Sequence, residues 1–328
     1  MSDPFAEVPP FETLAKVKPK ANGSAPPIQQ SITAAELLTS ALPEVRPLCA
    51  PWIYEGVTML AAPPKSGKTT LARQIAEAVG IGGDVFGSPC ETGRTTFLSL
   101  EEGPRLFKRK LELMKMHPDA AESLDLFWTW RQGLAGCEDL VTHIKERPET
   151  RFVVVDVFAK FRQAPDKATT PYQADYDAMT GLSNVAKQFP GLAILVNHHL
   201  RKMRSLDPMD DISGTYGLTG AIDAFLVLRR QGSGGSLHAG GRLWDRDEND
   251  YELSRKDQRW ILQGVSDGLT DGEKFALNMV TKSGGMGPSE LAKALDCSRQ
   301  TAYERLNSLL TKGKLDKRIG VYYPINTP

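Results

Sequence analysis

Between Trp52 and Gly264 the chain alternates short apolar runs with stretches of helical periodicity. The runs Val57-Thr58-Met59-Leu60-Ala61-Ala62, Thr95-Thr96-Phe97-Leu98-Ser99-Leu100, Phe152-Val153-Val154-Val155, Leu192-Ala193-Ile194-Leu195-Val196 and Ala224-Phe225-Leu226-Val227-Leu228 have the length and apolar content of buried strands. Residues 70–79, 105–116 and 172–188 read as the helices between them. Strands alternating with helices predict an α/β fold with a mostly parallel sheet, whose ligands gather at the carboxyl ends of its strands. Polar clusters sit at such ends: Glu101-Glu102, Asp156 and Asn197-His198-His199.

The flanks follow other patterns. Residues 1–30 are rich in Pro, Lys, Ala and Ser with little periodicity, which predicts a flexible arm. A short helix with its cap in Ser31-Ile32-Thr33 is expected to end near Pro43, either packed on its own domain, acting as a lid or docked on a neighbouring subunit. After a polar loop at 266–271, helices are expected over 271–283, 288–295 and 298–311, then a hairpin over 315–325 turning at Ile319-Gly320. Three helices and a hairpin form a winged helix-turn-helix pattern. The division read from the sequence is an arm (1–30), an α/β core with its short helix (31–265) and a small C-terminal domain (270–328).

Composition narrows the partners. With 328 residues and 41% hydrophobic content there is ample material for a sizeable core. Forty basic and forty acidic residues cancel, so polyanion contact must come from a local patch. Cys49, Cys90, Cys137 and Cys297 lie far apart without paired ligand spacing, which argues for a reducing cytosol and against structural zinc. No apolar run reaches membrane-spanning length and the first residues lack a signal-peptide pattern, so a soluble, cytoplasmic protein without membrane contact is expected.

The chemistry centres on Ala62-Pro63-Pro64-Lys65-Ser66-Gly67-Lys68-Thr69-Thr70, a small-residue loop between a strand and a helix. Such a loop offers several backbone N–H groups to one set of phosphate oxygens, and the helix adds the positive end of its dipole. Lys68 is expected to reach the β- and γ-phosphates and the Thr69 hydroxyl to hold Mg²⁺. Ala62 stands where the consensus has Gly, and Pro63 and Pro64 lack amide donors, so the cradle relies on Lys65, Ser66, Gly67, Lys68, Thr69 and Thr70. Asp156, closing an apolar strand, fits the carboxylate that holds Mg²⁺ through water, and Glu101 or Glu102 fits the base that orients the attacking water, with Glu101 preferred. His198 and His199 alternate in direction along their strand and have no carboxylate or cysteine at ligand spacing, so a γ-phosphate sensor is the better role for one of them.

The series from Ala62 to Thr69, Leu100-Glu101-Glu102-Gly103-Pro104 with Arg109, Val155-Asp156, Asn197-His198-His199-Leu200-Arg201-Lys202 and Ile212-Ser213-Gly214-Thr215-Tyr216-Gly217 through Asp223 resembles the RecA-like ATPases of the RepA type. These are encoded by plasmids, phages and prophages and include ring-shaped hexameric replicative helicases. The resemblance covers residues 32–264. It implies ATP and Mg²⁺ as ligands, ATP sites between subunits of a hexameric ring, Glu101 as the water-activating residue and a histidine sensor. It also implies a basic residue reaching across the subunit interface, for which Arg242 in Gly240-Gly241-Arg242 is the candidate and Arg229 and Arg230 the alternatives. Arg201, Lys202 and Arg204 beside the sensor then face a central channel and track the phosphates of single-stranded DNA. The C-terminal segment, with nine Lys or Arg against six Asp or Glu from Asp271 onward, resembles helix-turn-helix domains of bacterial regulators. There Arg299, Gln300 and Tyr303, with Arg305 nearby, are expected at duplex DNA and Lys317 and Arg318, with Lys314, at the wing. Such domains also dock proteins, including replication partners.

Overall fold

The computed structural model describes residues 33–40, 44–164, 170–200, 212, 220–232, 234–242, 249–266, 269 and 271–325. The arm at 1–30 and the expected channel residues Arg201, Lys202 and Arg204 lie outside the described residues. The chain forms two compact units, one of Met1–Glu248 with Leu253–Leu262 and one of Asn249–Glu252 with Gln263–Pro328.

In the first unit the elements run α1 (Ala34–Thr39), β1 (Pro47–Cys49), β2 (Ile53–Tyr54), β3 (Gly56–Ala62), α2 (Lys68–Ile81), β4 (Asp84–Val85), β5 (Ser88–Pro89), β6 (Arg94–Ser99), α3 (Pro104–Met114), α4 (Pro118–Glu122), β7 (Leu124–Phe127), α5 (Gly133–Glu146), β8 (Thr150–Asp156), α6 (Phe158–Phe161), α7 (Pro171–Gln188), β9 (Ala193–His199), β10 (Ala224–Gln231) and β11 (Gly234–Gly241). β12 (Asn249–Lys256) and β13 (Arg259–Val265) follow. The nine-stranded sheet has the order β13-β12-β11-β10-β3-β9-β8-β6-β7. The strands from β10 to β7 in that order are parallel to one another, and β11 is antiparallel to β10. β3 is central, level with β9 at Ala61↔His198 and with β10 at Val227↔Ala61.

Both faces of the parallel strands are covered, which is why they read as unbroken apolar runs rather than alternating ones. One face buries Val57, Met59, Ala61, Val153, Val155, Ile194, Val196, Phe225 and Val227 with Leu140 and Ile144 of α5 and Ala178, Leu182 and Val185 of α7. The residues between these, Leu60, Phe152, Val154 and Leu195 among them, are also fully buried, on the face that α2 covers. Asp156, Asn197 and His199 share that second face by strand alternation, and His198 takes the first.

The cysteine expectation is corrected. Cys49 closes β1 and Cys90 follows β5, and the two are joined in a disulfide despite a separation of 41 residues. The hairpins β1–β2 and β4–β5 bring them together: Glu91 N–H donates to the Leu48 carbonyl at 2.8 Å and Trp52 meets Phe86 edge-on at 5.2 Å. Distance along the chain was therefore no guide to pairing. No helix among the described residues is long and apolar enough to cross a membrane.

The second unit holds α8 (Asp271–Ser283), α9 (Pro288–Ala294), α10 (Arg299–Thr311) and the antiparallel pair β14 (Leu315–Arg318) and β15 (Val321–Pro324). Its core is Ala276, Val280, Leu291, Ala302, Leu306, Leu309, Leu315 and Tyr322. Ser298 caps α10 by accepting from Thr301 N–H at 3.0 Å, and Ile319 and Gly320 both take positive φ, as a two-residue hairpin turn demands.

Candidate functional site

The site forms where β3 hands over to α2. Ala62 closes the strand, Pro63, Pro64 and Lys65 form an exposed bend, and Ser66 tucks back with its hydroxyl donating to the Pro63 carbonyl at 2.6 Å. Gly67 caps α2 at φ 102°, and a Cβ there would meet the Trp260 ring at 2.9 Å, so glycine is required twice over. The first helical bond runs from Leu71 N–H to the Gly67 carbonyl at 3.0 Å, so the amides of Lys68, Thr69 and Thr70 open toward the loop, where the helix dipole is positive.

Lys68 lies buried within this bend. Its ammonium donates to the carbonyls of Ala62 (3.0 Å) and Pro63 (3.3 Å) and to Nδ1 of His199 (3.1 Å). Burial pushes its pKa down to about 8, opposed by the charges of Asp156 and Glu101. Because an ammonium only donates, Nδ1 of His199 must accept, which leaves the ring proton on Nε2. That nitrogen stands 3.7 Å from Oε2 of Glu101. Burial and then Lys68 hold the His199 pKa below its ordinary value, consistent with a neutral ring. One chain of contacts thus links Lys68, His199 and Glu101.

Asp156 is the second anchor. It is 1% exposed and takes a hydrogen bond from Asn197 Nδ2 at 2.8 Å, and burial raises its pKa against the opposing influence of Asn197 and Thr69. Its second oxygen, Oδ2, is buried with no hydrogen-bond partner among the described residues, as is Oδ1 of Asn197. An ionisable oxygen orphaned beside a threonine hydroxyl at the mouth of a phosphate loop is a donor set that fits a hard divalent cation with water in its shell.

The adjacent glutamates separate cleanly. Glu102 is committed to structure, paired with the fully buried Arg73 and with Lys110 of α3. Arg73 also lies over the Phe107 ring at 4.3 Å. Glu101 has a half-exposed side chain that faces His199 and makes no ion pair with Lys or Arg among the described residues. The histidines separate as well. His198 packs edge-on against Phe158 at 6.0 Å on the opposite face, with its pKa pushed down to about 4 chiefly by burial.

Arg242 follows β11 at the amino edge of the parallel strands. Its N–H donates to the Asp223 carbonyl at 2.8 Å and its guanidinium to the Gly220 carbonyl at 2.9 Å. Since Ala224 is level with Thr58, about 13 Å of strand separates that edge from Ala62, so Arg242 does not reach the loop of its own chain. Arg229 and Arg230 lie beyond Val227↔Ala61, at the same edge as the loop.

Sequence reading passed over the hairpin β12–β13, which turns at Asp257-Gln258, both with positive φ, and lies on α2. Trp260, 1% exposed, exchanges backbone hydrogen bonds of 2.9 Å with the Gln74 side chain and donates its indole N–H to the Gly67 carbonyl at 3.2 Å. Arg255 reaches Thr70. Polar alternation in 249–256 was the available signal, and Gly234-Gly235 hid the strand between, where a Cβ on Gly235 would meet the Trp260 ring at 3.3 Å.

In the second unit, Arg299, Gln300, Tyr303 and Lys317 line one open groove of about 570 Å³ with Pro288, Gly320 and Tyr322. The Lys317 ammonium lies 5.7 Å from the Tyr303 ring and 4.9 Å from that of Tyr322. Arg318 turns to Asp316 at 2.9 Å and stacks on Tyr323, away from the groove residues.

Three comparisons with known proteins bear on this arrangement. Among curated proteins none matches the chain. Among solved structures, a DnaB-like replicative helicase, described with its interactions with primase, superposes with a TM-score of 0.50 at 14% identity over 64% of this chain. The match spans 58% of that helicase chain. The RadB recombinase superposes with a TM-score of 0.48 at 15% identity, over 64% of this chain and 91% of the other. The first likeness shows a shared fold, an α/β core with a mostly parallel sheet of the RecA-like P-loop type. A model of the AAA domain matches residues 25–205, more than half of the chain, from ahead of the phosphate loop to past the His199 strand end. With its phosphate loop, strand-end carboxylate and histidine in one constellation, the chain belongs to the AAA domain family.

Proposed function

We propose that the protein is an ATP-hydrolysing motor acting on DNA, a hexameric replicative helicase of a phage, prophage or plasmid working in the cytoplasm. The observation that carries the reading is the contact chain from Lys68 through His199 to Glu101, beside a buried Asp156 with one unsatisfied oxygen. Lys68 leaves its carbonyl partners for the β- and γ-phosphates when ATP enters, and the amides of Lys68, Thr69 and Thr70 take the remaining oxygens. Thr69 directly and Asp156 through water would hold Mg²⁺, which would neutralise charge on the phosphates. Glu101 accepts the proton of the attacking water, and its exposure leaves room for that water. His199, touching both Lys68 and Glu101, reports the γ-phosphate to the chain that continues into 201–211, where Arg201, Lys202 and Arg204 contact single-stranded DNA. Arg242, at the far edge of the sheet, serves a neighbouring subunit's ATP.

A second reading is favoured by the groove of Arg299, Gln300, Tyr303 and Lys317: an ATP-dependent DNA-binding or regulatory protein that holds duplex DNA through a C-terminal winged helix without unwinding it. The test is ATP hydrolysis with and without single-stranded DNA, using Lys68→Ala as the blank, followed by strand displacement on a forked duplex. Stimulated hydrolysis with displacement supports the helicase. Hydrolysis without displacement supports the second reading, and no hydrolysis refutes the motor.

A further inference from the structure

The β12–β13 hairpin brings a charge to the phosphate loop that the reading above leaves unused. Nη2 of Arg255 lies 3.4 Å from the Thr70 hydroxyl, in the first turn of α2, and donates to Oε1 of Gln258 at 2.7 Å. The guanidinium stands 5.9 Å from the Trp260 ring, and Trp260 is itself fastened to Gly67 and Gln74. The hairpin therefore holds Arg255 in place through a buried anchor rather than on a free loop. Arg230, exposed at the end of β10 on the face that α2 covers, is close enough for its charge to depress the Arg255 pKa after burial has done so. Neither arginine forms an ion pair with an acid among the described residues, whereas Arg73, Arg94, Arg131, Arg162 and Arg259 of the same unit all do.

Arg255, at the positive end of a fourteen-residue helix and under the charge of Arg230, has no carboxylate paired with it among the described residues, an arrangement that a bound anion would relieve. The position selects which anion. Lys68, His199 and Glu101 occupy the β9 side of the loop, where hydrolysis requires the γ-phosphate. Arg255 lies on the β12 side, next to Thr70, and Arg230 stands at the end of β10.

We propose that Arg255, supported by Arg230, binds the α- and β-phosphates of the nucleotide from the side of the loop away from Lys68 and His199, and so holds the diphosphate before and after hydrolysis. This rests on the phosphate loop being a nucleotide site. Arg255 is then a binding residue whose contribution is the same for ATP and ADP, unlike one that meets the γ-phosphate.

The experiment is a titration of the full chain with fluorescent ATP and ADP analogues, comparing wild type, Arg255→Ala, Arg255→Lys and Arg230→Ala at low and high salt. Arg255→Ala is expected to weaken both nucleotides by the same factor, about tenfold or more as for a charged hydrogen bond, with a shallower salt dependence. Arg255→Lys recovers part of the loss, and Arg230→Ala gives a smaller one. Melting of the nucleotide-free variants separates binding from support of Trp260, because a purely structural Arg255 would lower the midpoint of Arg255→Ala and gain nothing from lysine. Wild-type affinity in Arg255→Ala, or a loss confined to ATP, overturns the proposal alone. Absence of nucleotide binding by the wild type overturns the reading of the phosphate loop with it.

Discussion

Neighbouring glutamates should fail in opposite ways when each is replaced by glutamine. Glu102 has a side chain only 14% exposed, and it is the acid partner of Arg73, which is 1% exposed, and of Lys110. Glu102→Gln leaves the Arg73 guanidinium buried over the Phe107 ring without a counter-charge, and a guanidinium cannot shed its proton to escape. Breaking a buried pair from one side costs about 3–5 kcal/mol. Removing both charges in Arg73→Met/Glu102→Gln should recover most of that, to within about 1 kcal/mol of wild type, because the desolvation cost goes with the charge. Glu101 is half-exposed and, among the described residues, has only the long contact to His199, so Glu101→Gln should stay within about 0.5 kcal/mol of wild type. Urea unfolding followed by circular dichroism reads all three variants, and ATP hydrolysis supplies the complement, slowed at least about a hundredfold in Glu101→Gln. The reasoning fails if Glu102→Gln melts like wild type, or if Glu101→Gln is the destabilised protein.

Three further outcomes are expected. Only the charged form of Lys68 pairs with phosphate, and burial pushes its pKa down to about 8, so nucleotide affinity should be flat below pH 8 and fall above it, toward tenfold per pH unit, with no such fall in Lys68→Met. His198 has its folded pKa depressed to about 4 from 6.5, so the stability it lends is complete above pH 6.5 and is lost as pH falls toward 4. That loss amounts to about 3 kcal/mol and should vanish in His198→Phe, as denaturant midpoints across this range will show. In the C-terminal unit, Arg299→Ala and Lys317→Ala should each weaken duplex binding and reduce the slope of log K against log salt by about 1, read by anisotropy at several salt concentrations; unchanged slopes would remove the groove from any DNA interface.

How far the sequence could be read depended on where each signal lay. The strands β3, β6, β8, β9 and β10 announce themselves because burial on both faces makes them continuous apolar runs, and the loop after β3 is marked by residue types that only phosphate binding requires together. β7 is half-buried throughout and forms the edge of the sheet, while α5 opens on Gly133-Leu134-Ala135-Gly136, so neither has a strong local pattern. The choice between Glu101 and Glu102, and between His198 and His199, turns on which face each residue takes and on what waits there. Arg73, Phe158 and Lys68 are far from them in sequence, so only the folded chain could separate the pairs. Trp260 and Arg255 lie some 190 residues from the loop they touch, in a stretch whose glycines and charges resemble a surface hairpin.

The most direct test of the central claim is single-turnover ATP hydrolysis by wild type and Glu101→Gln, with nucleotide affinity measured on the same samples. The account predicts that both bind Mg²⁺-ATP alike and that the substitution slows hydrolysis by at least about a hundredfold, in the range of losing a positioned general base. Equal rates in the two proteins, or failure of the wild type to bind nucleotide, would contradict it.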